Sequence, residues 1–361
     1  MLAGFRRCIQ DAVAMELQFE LKQTQHLTVI VGAEVEARLT ALTESLSPDG
    51  VAIVYDTALT TEAKRIGEQL GTSMLLPVAC DDDCKQLEVV GKLAEQLHAA
   101  GATRATVVVA IGGGTLTDLA GFVASIYLRG VPFISCPTTT LAMCDAALGG
   151  KNGVDLCGMK NRLGTIRQPD AIVMDTGWLQ SLTDELFREG VVEVIKKAAV
   201  LDARRFVELE QLAPALLARD SEATMQTIAM AVDMKMAVVL ADEREGDKRR
   251  SLNAGHTIGH AIESLARGSV RHGHAVAMGL IAECRAAGVD AAIVERLASL
   301  LRAVGAQTQI PDNLRDPAAL WEIARRDKKA VRGFVPMYVP LALGEGAIVE
   351  LTADSLIRAL S

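Results

Sequence analysis

The stretch that decides the fold is Val107–Gly121, which reads VVVAIGGGTLTDLAG. A valine-rich apolar run leads directly into Gly112, Gly113 and Gly114, and a segment with helical character follows. Glycines at a strand-to-helix turn let the backbone approach a ligand closely, and the N–H groups at a helix start attract phosphate. The stretch therefore predicts a βα unit that holds a nucleotide pyrophosphate. The alternative is a tight turn that uses glycine only structurally, since the triplet is not the G-x-G-x-x-G fingerprint.

Similar units surround this one. Further short apolar runs alternate with helical patterns and are predicted to be strands: Leu27–Val31, Val51–Tyr55, Val131–Cys136 and Ala171–Met174. This alternation predicts a mostly parallel sheet with helices on both faces. Beyond Ser181 the strand signal fades, and apolar residues at three and four spacing predict helices: Asp184–Ala199, Ala203–Leu217, Ser221–Leu240, His256–Ala266, Ala275–Ala287 and Ala291–Val304.

The predicted fold is thus an α/β N-terminal domain, residues 1–178, followed by an all-α C-terminal domain, residues 179–361. The boundary falls near Gly177–Leu182, and a cleft between the two domains is the default place for a site. A length of 361 residues agrees with two domains.

Charge and composition argue against nucleic acids and membranes as partners. The formal net charge of −8 and the pI near 5.4 argue against a nucleic-acid or anionic-membrane surface. No apolar run reaches the roughly eighteen residues that span a bilayer, and the first residues lack a signal-peptide core. Seven cysteines lie among apolar neighbours, as is typical of reduced thiols. We expect a cytoplasmic protein that binds a small molecule.

A histidine cluster indicates a metal. Four of the six histidines lie within nineteen positions: His256, His260, His272 and His274. Histidine is the commonest metal ligand, and two histidines at i and i+4 share one face of a helix. The alternative is a pair of ordinary helix histidines beside two on a solvent loop. Only His26 and His98 lie elsewhere, so chance clustering explains the pattern less well than a metal does.

Glu193 is the best candidate for a further ligand. It has the spacing of an ordinary surface ion pair with Lys197, yet it stands among valines, where a carboxylate needs a partner. Together with His256 and His272 it would suit zinc with positions open for substrate. Other polar residues stand in otherwise apolar or glycine-rich segments: Asp145, Lys151, Lys160, Asn161, Lys196, Lys197, Lys235, Arg249 and Asn253. Their cations imply an anionic substrate with a phosphate and a carboxylate.

Two further positions suit a dinucleotide. Asp56 follows a predicted strand and could hold a ribose hydroxyl. Thr138, Thr139 and Thr140 could line a cofactor, or could simply end a strand. A dinucleotide, a Lewis-acid metal and a phosphate pocket together indicate redox chemistry at a hydroxylated carbon of a sugar phosphate.

These residues reveal a family pattern. From about Leu27 to its end the chain resembles 3-dehydroquinate synthases, within the wider sugar-phosphate cyclase family. The resemblance is specific in four blocks: Gly112–Gly121, Pro137–Asn161, Glu193–Lys196 and Asp242–Gly273. It implies a Rossmann-like NAD-binding domain, a helical metal-binding domain and catalysis in the cleft between them. The implied activity converts the seven-carbon keto acid phosphate DAHP to 3-dehydroquinate and phosphate, in the shikimate pathway. NAD, zinc or cobalt, and a homodimer are implied with it.

The resemblance also implies residue roles. The implied metal ligands are Glu193, His256 and His272. The implied residues around the reacting carbons are Asp145, Lys196, Asn253 and His260. Lys235 and Arg249 match the pair that holds the substrate carboxylate. The implied phosphate pocket contains Lys151, Asn161, one of Lys328 and Lys329, and Arg129 from the neighbouring subunit. The implied NAD contacts are Asp56, Asp82, Lys85, Gly112, Gly113, Gly114, Asp118, Thr138, Thr139 and Lys160.

The chain departs from the family pattern in places. His274 replaces a Glu, Asn152 a Thr and Met159 a Gly, while Ala58 and Asp82 differ from the usual Asn and Glu. Alternatives within the family are cyclases of sedoheptulose 7-phosphate or of amino-DAHP. Sedoheptulose phosphate has no carboxylate, so the cations expected to hold one would lack a counter-ion, which favours the keto acid. Other classes are a metal-dependent polyol dehydrogenase and a non-catalytic relative.

Overall fold

The computed structural model of the chain describes residues 25–35, 37–80, 84–242, 248–327 and 334–360, and the backbone of 6–8 and 16–18. Three residues with predicted roles, Asp82, Lys328 and Lys329, lie outside these ranges.

The N-terminal half is built on a parallel sheet. A short antiparallel pair, β1 (Arg6–Cys8) and β2 (Glu16–Gln18), precedes it. The sheet strands are β3 (Thr28–Gly32), β4 (Val51–Asp56), β5 (Leu75–Val78), β6 (Val107–Gly112), β7 (Phe133–Pro137) and β10 (Ala171–Asp175). Their spatial order is β3-β10-β7-β6-β4-β5, and every neighbouring pair is parallel. The predicted parallel sheet is therefore confirmed.

Helices cover both faces of this sheet. They are α1 (Ala37–Ser45), α2 (Thr60–Gln69), α3 (Leu87–Ala99) and α4 (Gly114–Ile126). Ile53 and Val107 pack with α1 and α2, whereas Ala52 and Val108 pack with α3 and α4. Successive side chains of a strand point to opposite faces, so a strand covered on both faces reads as one continuous apolar run. That is the pattern of β4 and β6 in the sequence.

The order of the strands creates a crevice. From β4 the chain runs to β5 on one side and then to β6 on the other side of β4. Ligands of open α/β sheets bind outside the carboxyl ends of the strands at such a reversal. Asp56 ends β4 and Gly112 ends β6, so both residues lie at this reversal.

Two elements after β7 were not predicted. Ala142–Ala146 forms a single π-helical turn, and an antiparallel hairpin follows, consisting of β8 (Lys151–Leu156) and β9 (Met159–Ile166). The residues of β9 are mostly exposed, and apolar and polar side chains do not alternate regularly along it, so the sequence has no strand pattern by which the hairpin could be recognised.

The C-terminal half is rich in helices, as predicted. Its helices are α5 (Asp184–Leu201), α6 (Ala203–Leu217), α7 (Ser221–Ala241), α8 (His256–Ala266), α9 (His272–Ala286), α10 (Ala291–Ala303), α11 (Pro317–Asp327) and α12 (Ala353–Leu360). It also contains an antiparallel hairpin of β11 (Val335–Ala342) and β12 (Glu345–Leu351), so this half is not purely helical. Helix α7 is long and apolar enough to cross a membrane, but Ile228 and Ala231 place it in the core.

One apolar core joins the sheet to the helices. Met143 and Ile172 from the sheet half pack in the same buried cluster as Val191 and Ile195 of α5. Helix α5 is consequently the central helix of the molecule, and side chains from Gly190 to Val200 are buried. Any polar residue in this part of α5 faces protein.

Candidate active site

The polar residues of α5 form the floor of the site. Glu193 and Lys196 are each 1% exposed, and Lys197 is 0% exposed. The i,i+4 pair of Glu193 and Lys197 is therefore an interior pair, not the surface pair that its spacing also allowed. Burial of three charged side chains in one helix is costly unless each finds a partner, so their partners define the site.

Helices α8 and α9 bring the histidines to Glu193. Gly279 of α9 faces Gly255 and Gly259 so closely that a Cβ at Gly279 would overlap the backbone of both. This backbone-to-backbone packing places His256 and His272 side by side, with ring centroids 5.3 Å apart. Gly255 itself has φ +76°, a left-handed conformation that turns the chain into α8.

A buried carboxylate fixes this packing. Glu283 of α9 is 0% exposed, and its two oxygens accept from the N–H groups of Gly255 and Ile258 at 2.9 and 2.8 Å. Gly255 has no side chain to cap α8, so Glu283 supplies the cap from the neighbouring helix.

Glu193, His256 and His272 form a set of ligand atoms that all lie within 4.8 Å of one another. Glu193 Oε1 lies 3.6 Å from His256 Nε2 and 3.7 Å from His272 Nε2. These separations are long for hydrogen bonds. They are close to the ligand-to-ligand distance of about 3.4 Å that is expected when ligands surround zinc tetrahedrally at about 2.1 Å. Among the described residues, neither buried Glu193 oxygen has a hydrogen-bond donor in acceptable geometry. The three side chains fit a divalent metal.

The charge states of Glu193 and His256 suit a cation. Burial works to raise the pKa of Glu193, but the ammonium of Lys196, 2.6 Å away, outweighs burial and holds this pKa well below its usual range. Burial and the ammonium of Lys196 lower the pKa of His256, so its imidazole is neutral and able to bind a metal. His272 Nδ1 lies 3.1 Å from Glu263 Oε2, which orients the ring.

A cavity of about 570 Å³ opens beside this triad. The predicted residues among its lining are Asp118, Asp145, Lys151, Asn161, Lys235, Arg249, Asn253 and His256. Lys235 and Arg249 are 6% and 3% exposed, and Arg249 Nη2 donates to the carbonyl of Gly149 at 3.0 Å. Burial lowers the pKa of Lys235 to about 8, although the nearby Asp145 opposes this shift.

Asp145 lies between two lysines. Its Oδ1 is 2.8 Å from Lys197 Nζ and 3.0 Å from Lys235 Nζ. Burial acts to raise the pKa of Asp145, but the two ammonium groups outweigh burial and hold it well below its usual range. The carboxylate is therefore anionic and held in one place.

The glycine turn forms a second part of the site. Gly113 precedes α4 without a side-chain cap, so the N–H groups of the first turn remain open to a ligand. A Cβ on Gly114 would lie 2.8 Å from Ala146 Cβ, and one on Gly113 would lie 3.3 Å from Thr139 Cγ2. Glycine avoids a close contact at both positions of this cradle, most clearly at Gly114, which fits the close approach of a pyrophosphate.

The remaining cofactor-side residues surround the cradle. Lys85 Nζ donates to Asp118 Oδ2 at 2.7 Å and to Asn161 Oδ1 at 2.5 Å. Burial raises the pKa of Asp118, and the Lys85 ammonium opposes that shift. Thr138 N donates to the carbonyl of Gly112 at 2.9 Å. The Asp56 carboxylate accepts from Ala58 N at 3.0 Å at the end of its strand.

Some predicted residues stand apart from the cavity. His260 is exposed, with its ring centroid 5.1 Å from that of His256 and 6.4 Å from that of His272. Lys160 is exposed on β9, and its charge acts on Glu263. Arg129 is exposed in the turn after α4, has φ +69°, and does not line the cavity of its own chain.

Three residues with structural importance for the site were assigned no role there from the sequence. Lys197 stands out in the sequence as a charged residue in an apolar segment, but its i,i+4 spacing from Glu193 also allowed a surface ion pair. Glu263 and Glu283 have no sequence signal that we recognise, because their partners come from the packing of α8 against α9.

Comparison with known proteins gives a consistent result. Residues 75–189 match the family model described as 3-dehydroquinate synthase N-terminal, and residues 190–330 match the one described as 3-dehydroquinate synthase C-terminal. The 3-dehydroquinate synthase of Sulfurisphaera tokodaii is 35% identical over 341 residues, which are 91% of this chain and 94% of that protein.

Two solved structures share the fold over nearly the full length. A 2-deoxy-scyllo-inosose synthase, complexed with carbaglucose-6-phosphate, NAD+ and Co2+, has a TM-score of 0.82 at 25% identity and covers 99% of each chain. The 2-epi-5-epi-valiolone synthase of Streptomyces hygroscopicus subsp. jinggangensis 5008, with NAD+ and Zn2+ bound, has a TM-score of 0.80 at 26% identity. It covers 94% of this chain and 97% of that chain. Given both family matches and a relative that is 35% identical along its length, the chain belongs to the 3-dehydroquinate synthase family.

Proposed function

We propose that the protein is a 3-dehydroquinate synthase that converts DAHP to 3-dehydroquinate and phosphate. The observation that carries this proposal is the position of Lys235 and Arg249, two buried cations in the cavity that adjoins Glu193, His256 and His272. Two fixed cations beside a metal triad suit a substrate with a carboxylate at one end and a hydroxylated carbon near the metal. Membership of the family supports the same substrate.

The protein's cofactors in this proposal are NAD and zinc or cobalt. Glu193, His256 and His272 would hold the metal, and the glycine cradle with Asp56, Asp118, Thr138 and Thr139 would hold NAD. When bound, the metal supplies Lewis-acid polarisation of a substrate oxygen and NAD supplies a reversible hydride acceptor. The reaction is a transient oxidation, loss of phosphate, reduction and intramolecular aldol closure, after which NAD is unchanged.

The side chains of the cavity bind and orient the substrate. Lys235 and Arg249 hold its carboxylate, whereas Lys151 and Asn161 on the β8–β9 hairpin meet its phosphate. One of Lys328 and Lys329 is proposed to contribute to the same phosphate pocket. The phosphate can serve as its own base, so these residues chiefly position it and neutralise the charge that develops as it leaves.

The other predicted residues lie near the reacting carbons in this proposal. Asp145 and Asn253 line the cavity and would hold substrate hydroxyl groups, while Lys196 and His260 stand close to the metal triad. On the cofactor side, Lys85, Asp82 and Lys160 would complete the NAD contacts.

The decisive experiment compares substrates. Purified protein with NAD is offered DAHP, amino-DAHP or sedoheptulose 7-phosphate, and phosphate release is followed with and without a chelator. We expect release from DAHP alone, lost on chelation and restored by Zn2+ or Co2+, with no net rise in NADH absorbance. Turnover of only the sugar phosphate would identify a different cyclase, and steady NADH accumulation would identify a polyol dehydrogenase.

We also propose that the protein acts in the cytoplasm, in the shikimate pathway, and that its two domains meet near residues 178 and 179. We further propose that it is a homodimer. Large apolar side chains are exposed at the end of α4, in the turn after it and on the adjoining hairpin, namely Ile126, Leu128, Met159 and Ile166. A second copy of the chain would cover this surface and would place Arg129 at the partner's phosphate pocket. Sedimentation analysis tests this assembly: Leu128→Glu should yield monomers, and a monomeric unaltered protein would contradict it.

A further inference from the structure

Lys197 is the most deeply buried cation of the site, and the predicted roles leave it unused. Its side chain is 0% exposed, and its ammonium donates to the carbonyl of Cys144 at 2.9 Å and approaches Asp145 Oδ1 at 2.8 Å. Burial acts to lower the pKa of Lys197, but Asp145 and Glu193 outweigh burial and raise it. Lys197 is thus an interior lysine with two fixed oxygen partners.

Lys197 and Lys235 together hold one turn of backbone. Lys197 binds the carbonyl of Cys144, and Lys235 binds the carbonyl of Asp145 at 2.6 Å. Both ammonium groups also share Asp145 Oδ1. The turn is the π-helical segment Ala142–Ala146, a geometry that is rare and frequent at functional sites.

This arrangement leaves one oxygen of Asp145 for the cavity. The side chain of Asp145 is 32% exposed and lines the cavity, and both lysine contacts are made to Oδ1. We propose that Lys197 is a positioning residue, which fixes the turn and Asp145 Oδ1 from below so that Oδ2 faces the substrate. This role rests on the proposed function, in which Asp145 meets the reacting part of the substrate.

The charge of Lys197 also acts on Lys235. The charged groups that act on Lys235 are Asp145 from the turn, Lys197 and Glu193 from α5, and Asp118 from α4. Lys197 is the cation among these groups, and it competes with Lys235 for Oδ1 of Asp145. Without it, Asp145 interacts with Lys235 alone, so the ammonium of Lys235 should become harder to deprotonate.

A double-mutant cycle tests the positioning role. We expect Lys197→Met to lower kcat by about 10²-fold with KM little changed, because the loss is one of alignment. In an Asp145→Asn background the same substitution should change kcat by less than about threefold, because the group through which it acts is already altered. Equal factors in the two backgrounds, or a normal kcat for Lys197→Met, would overturn the role.

A second measurement needs no substrate. Acetylation of Lys235 by acetic anhydride, followed across pH by peptide mass spectrometry, should have a midpoint near 8 in the unaltered protein. In Lys197→Met this midpoint should rise, and an unchanged midpoint would contradict a shared carboxylate. If the unaltered protein does not turn over DAHP, the proposed function fails while this titration still decides the contact.

Control variants separate positioning from folding. Val200→Ala removes buried apolar volume from the same helix, since Val200 is 2% exposed, and should lower Tm without changing kcat or the Lys235 midpoint. Should Lys197→Met fail to fold, Lys197→Gln keeps a donor for the Cys144 carbonyl but no charge. For Lys197→Gln we expect the same lower kcat and the same higher Lys235 midpoint. A normal kcat or an unchanged midpoint in this variant would count against the positioning role.

Discussion

His272 is held between two carboxylates: its Nδ1 lies 3.1 Å from Glu263 Oε2, and its Nε2 lies 3.7 Å from Glu193 Oε1. The first distance is a hydrogen bond and the second is the spacing of two ligands on one cation. A carboxylate behind a metal-binding histidine fixes its tautomer and raises its basicity. We therefore expect Glu263 to support a metal held by His272 without binding it.

Glu263→Gln should weaken metal binding by about 10- to 100-fold, the usual cost of losing such a partner. The amide keeps the shape of the side chain but not its charge, so NAD affinity should stay unchanged. Competition with a fluorescent zinc chelator measures the metal affinity. Glu295→Gln serves as a matched control, because Glu295 makes an exposed contact with Arg302 on α10. Equal zinc affinity in Glu263→Gln and the control would refute the supporting role.

The cavity cation Lys235 should set the alkaline limit of activity. Its pKa is lowered to about 8, so the charge that holds a substrate carboxylate is present below this pH and is lost as pH rises through it. We expect kcat/KM to fall by about tenfold per pH unit above 8. In Lys235→Arg, whose guanidinium stays charged, the fall should disappear even if the maximal rate is lower.

The same lysine affects stability in the opposite direction. In the unfolded chain a lysine has a pKa of about 10.4. Between pH 8 and that value the unfolded state therefore binds more protons than the folded state does. The contribution of Lys235 to the free energy of unfolding therefore increases with pH in this window. If urea unfolding shows that the protein is losing stability where kcat/KM falls, the decline cannot be assigned to Lys235 alone.

Glu283 should contribute more to stability than a surface carboxylate. Its oxygens satisfy the N–H groups of Gly255 and Ile258, and Glu283→Gln turns an amide NH2 toward one of them. We expect the free energy of unfolding to drop by about 2–3 kcal/mol, with weaker zinc binding because α8 carries His256. Urea denaturation measures the loss. Glu322→Gln, which alters an exposed pair with Arg325, should change stability by less than about 1 kcal/mol.

The sheet and the metal triad could be predicted because their signals are local. Strands buried on both faces are continuous apolar runs, and the glycine turn after Ile111 marks where one of them ends. His256 and Glu193 are of residue types that bind metals, and the spacing of apolar residues around them predicts that both lie in helices. Family resemblance then paired residues that lie far apart in the chain.

The missed features depend on contacts between distant segments. Whether Lys197 is exposed is decided by Cys144 and Asp145, which lie more than fifty positions earlier, and not by its i,i+4 neighbour. The hairpin at Val335–Leu351 was not predicted in a half whose other signals were helical. Its buried Val335, Met337 and Val339 alternate with less buried residues, which is the strand pattern that distinguishes it.

Alanine substitutions at the two neighbouring glycines Gly113 and Gly114 should affect NAD binding to different extents. A Cβ at Gly114 would lie 2.8 Å from Ala146 Cβ, a contact that real Cβ atoms do not make, whereas a Cβ at Gly113 would lie 3.3 Å from Thr139 Cγ2. Gly114→Ala should therefore displace the start of α4 and weaken NAD binding more than Gly113→Ala does. Titration calorimetry with NAD measures both affinities.

A third glycine provides the control for this comparison. Gly91 lies within α3, and a Cβ at this position would meet no described atom within 4 Å, so Gly91→Ala should leave NAD affinity unchanged. It should also raise the free energy of unfolding by about 0.5–1 kcal/mol, because alanine loses less conformational freedom in a helix than glycine does. If Gly114→Ala bound NAD as tightly as Gly91→Ala, the pyrophosphate would have to lie away from the start of α4, and the cradle would be a packing feature of the βα turn.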